Sequence, residues 1–179
     1  MTPEDVLTFW FDEIKPAQWW KVDGEFDAMI QRRFGELLQQ AAAAELFHWR
    51  ADARGRLAEI LVLDQFSRNV FRNTPRAFSQ DPMALVLAQE AVAIGAHLAL
   101  ENPARTFLLM PYMHSESKRI HEQAEKLFLE FAPTDNYQFE LRHKAIIDRF
   151  GRYPHRNTIL GRESSAEELE FLQKPGSHF

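Results

Sequence analysis

GRLAEILVLDQFSRN, residues 55–69, decides how the rest of the chain is read. Wound at 3.6 residues per turn, its middle, LAEILVL, is apolar nearly all round, which suits a helix enclosed by other helices. The stretch therefore predicts a central helix over 55–69. Elsewhere strand-like alternation is nearly absent, and apolar residues recur at three- and four-residue spacing along almost the whole chain. The fold class read from this pattern is all-α.

Working outward, Thr2 caps a first helix with Pro3 at its first position and Asp5 three residues on. Its buried stripe is Val6, Leu7, Trp10, Phe11 and Ile14. A second helix carries Phe26, Met29, Ile30, Phe34, Leu37, Leu38 and Ala41 on one face. Asp81-Pro82 starts a fourth, to about residue 98, whose Ala84, Ala88, Ala91 and Gly95 form a small-residue stripe that lets a neighbour come close. Asn102-Pro103 opens a short helix that Pro111 should end or kink, because proline lacks the donor and clashes with the preceding turn. Residues 115–131 follow, then 136–150 with Phe139, His143, Ile146, Ile147 and Phe150 inward, and a last helix capped by Ser165 and Glu168. These make about eight helices with short connections, the pattern of antiparallel helical hairpins.

The chain has 179 residues, enough for one domain with a real core, and residues 174–179 are expected to form a loose tail. With 45% hydrophobic and 26% charged residues, it has the profile of a globular protein rather than a disordered one. It has no cysteine, so neither disulfides nor thiolate metal sites contribute. The opening MTPEDVLTFWFDE lacks a basic region followed by an apolar run, and no stretch approaches the roughly eighteen apolar residues of a membrane span. A cytoplasmic location without a membrane partner is expected. A formal net charge of −5 argues against nucleic acid, which wants a basic face.

Against that acidic balance, arginines gather at two helix ends. Asp64, Phe66, Arg68, Arg72, Asn73 and Thr74 recur at one constant offset as Asp148, Phe150, Arg152, Arg156, Asn157 and Thr158. An aspartate in a last turn opposes the helix dipole, and an arginine four residues later compensates it. Asp64 shares a face with Leu57, Ile60 and Leu61, so it points inward and needs a partner. The remaining guanidiniums, among Arg68, Arg72, Arg76, Arg152, Arg156 and Arg162, exceed the local acids and would leave forks free for an anion. The ligand-binding set expected on this basis is Asp64, Arg68, Asn69, Arg72, Arg152, His155, Arg156, Asn157 and Arg162.

FWF at 9–11, WW at 19–20, LDQFSRNVFR at 63–72, PYMHSES at 111–117 and FGRYPHRNTILGRESSAEELEFL at 150–172 resemble the bacterial family called domain of unknown function 924. The resemblance covers essentially the whole chain. It implies an all-α fold similar to the right-handed superhelices of tetratricopeptide repeats, although their 34-residue consensus is not readable here. It brings no established activity. The polar residues typical of the family fall on Asp64, Gln65, Arg68, Asn69, Arg72, His114, Glu116, Arg152, His155, Arg156, Asn157, Arg162 and Glu163.

His114-Ser115-Glu116 follows the proline break, so Ser115 or Glu116 can cap the next helix while His114 projects. A histidine beside a carboxylate is the minimum for acid–base work, and His114 and Glu116 are the catalytic candidates. Two Glu-x-x-His units, Glu45 to His48 and Glu140 to His143, have the spacing of di-iron carboxylate bundles, with Glu13, Glu59 or Glu90 as possible further ligands. Neither coincides with the family motifs, His143 also suits a core position, and no metal or other cofactor is expected. HEQAE at 121–125 lacks the second histidine of a zinc-protease motif. Phe9, Trp10, Phe11, Trp19 and Trp20 read as core and lid, with Trp19 and Trp20 the ones to examine for exposure. The reading that results is a helical domain whose arginine-rich pocket takes an anionic small molecule or an acidic peptide. Its rivals are an acid–base enzyme using His114 and Glu116, a di-iron protein, and a purely structural polar network.

Overall fold

The computed structural model describes residues 1–177, and every regular element among them is helical. Helix α1 (Pro3–Thr8) continues into a π turn at Phe9–Glu13, and α2 spans Gly24–Ala42. Helix α3 (Ala53–Leu61), a second π turn (Val62–Phe66) and α4 (Ser67–Val70) follow without a break, as one rod. Then come α5 (Asp81–Ala93), α6 (Ala104–Met113), α7 (Lys118–Phe131), α8 (Thr134–Phe150) and α9 (Ala166–Leu172). The caps expected at Thr2 and Ser165 both form. Thr2 Oγ1 accepts from the Asp5 amide at 3.3 Å, and Ser165 Oγ from the Glu168 amide at 3.2 Å.

The α3–α4 rod is central, packed against α1, α2, α5 and α6, and Leu57 through Phe66 are all buried along it. Ala84, Ala88 and Ala91 are wholly enclosed where α5 meets the rod. Gly95 does not extend that stripe: α5 ends at Ala93, and Gly95 takes a left-handed φ of 75° beyond it. Phe9 joins Trp10 in the core, off the stripe expected for a regular helix, in the π turn where extra residues per turn shift the register inward. Trp20 is 61% exposed, its ring parallel to Phe107 at 6.0 Å.

Pro111 does not end α6. The helix runs on to Met113, and every residue from Thr106 to Met113 is buried, so packing on all sides outweighs one lost backbone bond. Helices α7 and α8 are antiparallel: Lys118 reaches the Asp148 carbonyl and His121 reaches Glu140, while Lys144 lies 4.0 Å from Glu125. Phe139 does not face inward; it is 49% exposed, because the buried stripe of α8 is Glu140, His143, Ile146 and Ile147. A smaller apolar cluster of Ile146, Ile147 and Tyr153, joined by Phe150 and Phe171, ties α9 to α8. Of the segment 174–179, Ser177 is buried and its hydroxyl donates to the Leu172 carbonyl, and residues 178–179 lie outside the described residues. No helix among the described residues is long and apolar enough to cross a membrane.

Gly55, in the first turn of α3, lies so close to the preceding turn that an added Cβ would sit 1.9 Å from the Trp49 carbonyl oxygen. Gly55→Ala is expected to destabilise the fold by about 3 kcal/mol or more, read from urea unfolding, since backbone cannot yield as a flexible side chain would.

Candidate functional site

The π turn in the central rod turns Asp64 into the interior, where it is 1% exposed. Its Oδ1 lies 2.7 Å from His114 Nδ1 and 3.2 Å from Arg68 Nη1, and Gln65 Nε2 donates to Oδ2. Burial by itself would raise the Asp64 pKa; the Arg68 guanidinium and His114 outweigh it and hold the carboxyl well below the usual carboxylate range. His114 moves down as well, because burial and the nearby Arg68 charge disfavour imidazolium more than Asp64 favours it. An ionised Asp64 can only accept, so the neutral imidazole carries its proton on Nδ1. His114 Nε2 is then an acceptor with no protein partner among the described residues.

Arg68 bridges two carboxylates. Its Nη1 and Nη2 hold Asp81 at 2.9 and 3.1 Å, and Nη1 also donates to the Asp64 carbonyl at 2.8 Å. Arg156, from the turn Pro154–Arg156, shares the same Asp81 at 3.3 Å and donates to the His114 carbonyl at 3.1 Å. Its guanidinium lies 4.5 Å from the Phe78 ring centre and 4.6 Å from that of Tyr153, and its buried Nε has no partner among the described residues. Burial and Arg68 together depress the Arg156 pKa. These groups border a cleft of about 360 Å³ walled by Phe78, Asp81, Pro111, His114, Ser115 and Arg156. The two helix ends expected to converge do so here, through Arg68 and Arg156.

Glu116 is placed differently from the expectation. It caps no helix, since Ser117 is the N-cap of α7. It does not meet the His114 ring either: its carboxylate takes a bidentate pair from Arg162 at 2.7 and 2.9 Å and the Tyr153 amide at 2.7 Å. Burial raises its pKa, and the Arg162 and Tyr153 hydrogen bonds more than reverse that. Arg162 Nε donates to Asn157 Oδ1 at 2.9 Å, and Asn157 in turn reaches Ser164 at 3.0 Å.

The expected surplus of free forks is largely absent. Arg72 is clamped on Asp27 at 2.6 and 2.9 Å, with Asn69 on the same carboxylate at 2.8 Å, so the two join α4 and the turn after it to α2. Arg152 holds Glu168 at 2.6 and 2.7 Å and the Glu163 carbonyl at 2.9 Å, docking α9. His155 packs against the Tyr153 ring at 5.6 Å. The repeated Asp-Arg pattern has no structural counterpart: Asp148 is exposed and pairs with Lys144, not with Arg152. The di-iron spacing also fails. Glu140 turns to His121, His143 Nδ1 donates to the Phe139 carbonyl at 2.7 Å, and Glu59 is bound by Arg50. No three His, Cys, Asp or Glu side chains among the described residues form a metal cage.

Behind the cleft lies a buried set whose members motif reading met only as a di-iron spacing and an incomplete zinc-protease motif. His121 Nδ1 is 2.8 Å from Glu140 Oε1 and its Nε2 2.8 Å from the Ser115 carbonyl, while Tyr153 donates its hydroxyl proton to the Met113 carbonyl. Burial raises the Glu140 pKa. The set pins residues 113–116, and therefore His114. One signal was available: His121, Ala124 and Phe128 share the apolar stripe of α7, where a histidine needs an internal partner. Asp81 had none, since at a helix start it reads as an ordinary first-turn acid.

An all-α protein with a buried carboxylate–imidazole pair on the wall of a cleft is what fold and site define. The chain belongs to the family described as bacterial protein of unknown function (DUF924), which matches residues 6–176. It is similar to the solved structure of the protein of unknown function ATU0120 from Agrobacterium tumefaciens, with 35% identity, 96% of each chain covered and a TM-score of 0.91. No curated protein matches the chain.

Two outcomes are expected for this polar interior. Arg68→Met leaves Asp64 and Asp81 undercompensated and should cost about 3–5 kcal/mol in denaturant unfolding. Acid should weaken the fold in two stages. Burial pushes His143 down to about 3, and lowers His97 and His114. From about pH 6.5 downward the unfolded chain therefore takes protons that the native one refuses, losing up to about 1.4 kcal/mol per pH unit for each such histidine. Below about pH 4 the Asp64 contribution fades in turn, as pH falls toward its depressed native pKa. Glu140, raised by burial, works in the opposite direction. Urea midpoints that stay flat between pH 7 and 5 would contradict the histidine assignment.

Proposed function

We propose that the cleft beside His114 is an acid–base site for a small anionic molecule. Arg156 receives the negative group, and His114, oriented by Asp64, exchanges a proton with the molecule or with a water beside it. The observation that carries this reading is the 2.7 Å contact of Asp64 Oδ1 with His114 Nδ1, which leaves the neutral Nε2 as an unpaired acceptor on the wall of the cleft. A carboxylate behind the imidazole fixes both tautomer and orientation, and a base of this kind works near neutral pH only while unprotonated. Arg156 suits the anion because it lines the cleft and shares its one carboxylate partner, Asp81, with Arg68. Phe78, Pro111 and Leu160 supply apolar wall for the rest of the molecule.

Glu116 supports a second reading. With its carboxylate committed to Arg162 and Tyr153, it gives His114 no companion acid, which favours a receptor for an anion, or for the acidic end of a peptide, without turnover.

The test is a screen of the purified protein against small carboxylate and phosphate esters, with His114→Asn and Arg156→Met alongside. Turnover is expected to fall about 100-fold or more in His114→Asn at unchanged melting temperature. In Arg156→Met, KM should rise more than kcat falls. Turnover indifferent to His114→Asn would remove the acid–base reading, and binding indifferent to Arg156→Met would remove the receptor.

A further inference from the structure

We propose a second ligand site on the other side of the segment 75–80, where Arg76 takes the carboxylate of a small organic acid with a short apolar body. A separate cleft of about 330 Å³ opens there, walled by Leu38, Gln39, Ala42, Phe71, Arg76 and Gln80. That volume is at the lower end of the range of about 300–1,000 Å³ usual for small-molecule pockets.

The lining has one charge, and it is positive. Arg76 lies over Phe71, its guanidinium carbon 3.8 Å from the ring centre. A contact of this kind restrains the guanidinium against the ring and uses none of its N–H groups. Among the described residues, no acidic side chain pairs with Arg76. Its neighbours are spoken for by acids: Arg68 by Asp64 and Asp81, Arg72 by Asp27. A restrained guanidinium without a counter-ion, on an aromatic face and above an apolar floor, matches a planar carboxylate whose body packs on Leu38 and Ala42. Gln39 and Gln80 bring carboxamides to the rim for further hydrogen bonds.

The C-terminal end of α2 also borders this cleft, and its partial negative charge would oppose an anion. That end is already capped. The carbonyls of Gln39, Gln40 and Ala41 accept from the amides of Ala43, Glu45 and Ala44 at 3.0, 2.9 and 2.9 Å. A polyanion fits poorly, since a single guanidinium would have to hold it against a chain of net charge −5. The His114 cleft differs, since Asp81 and Glu116 line it.

The experiment is a titration of the isotope-labelled full chain by NMR with benzoate, with its neutral twin benzamide, and with inorganic phosphate. Benzoate is expected to shift the Arg76 Nε–H and Gln80 side-chain signals, with benzamide silent and phosphate weaker for want of an apolar body. Arg76→Gln should raise the benzoate Kd by about tenfold or more, and Arg76→Lys, which keeps the charge and loses the fork, should weaken it too. Phe71→Leu should weaken it by removing the ring, and Arg156→Gln should leave it unchanged. Equal shifts from benzamide, no shifts at all, or a Kd indifferent to Arg76→Gln would each overturn the site, leaving Arg76 as a cover for Phe71. Shifts abolished by Arg156→Gln and kept in Arg76→Gln would place benzoate in the His114 cleft, overturning this site while leaving the acid–base reading intact.

Discussion

An ionised carboxylate inside a helical core must be compensated where it stands, and Asp64 imposes that condition on much of the molecule. It sits in a π turn of the rod that α1, α2, α5 and α6 surround, so its partners come from the rod's own next turn and from the elements packed around it. Arg68 supplies one charge from the next turn and reaches on to Asp81 at the start of α5. His114 arrives from the end of α6, and Arg156 closes the set from beyond α8 through Asp81 and the His114 carbonyl. One buried negative charge thereby sets the relative positions of four separate stretches of chain.

The charges around it balance. Arg68 and Arg156 offset Asp64 and Asp81, which leaves His114 neutral and its Nε2 the one member of the set with open capacity for a proton. The ring is held by Asp64, and the backbone that carries it is fixed by Arg156 on the His114 carbonyl and by His121 on the Ser115 carbonyl. Placement of this kind fits a group that has to meet another molecule in one geometry. The other arginines serve differently. Arg72 on Asp27, Arg152 on Glu168 and Arg162 on Glu116 are bidentate clamps between elements, each committed to an acid of the fold.

Much of the fold was legible in the residues. Thr2 and Ser165 announce their helices by local hydrogen-bond chemistry, the apolar LAEILVL stretch announces the buried rod, and Ala84, Ala88 and Ala91 announce a close approach. The departures occur where packing overrules local preference. Pro111 stays inside a helix because burial surrounds it, and Phe139 falls outside a stripe narrower than its spacing suggested. At the site, Asp64, Arg68, His114 and Arg156 were legible as polar residues at helix ends. Their pairing was not, since Arg68 lies 13 residues from Asp81 and Arg156 lies 75.

By itself, then, the sequence determined the all-α class, most helix boundaries and the need of Asp64 for a partner. Each of these follows from forces acting over a few turns: periodic burial, capping and the cost of an uncompensated charge. Only the tertiary structure decided which acid takes which arginine, that Glu116 is closed off and His114 left open, and where a cleft remains. Those outcomes depend on which distant helices share an interface, and a charge pairs with whatever that interface brings within reach.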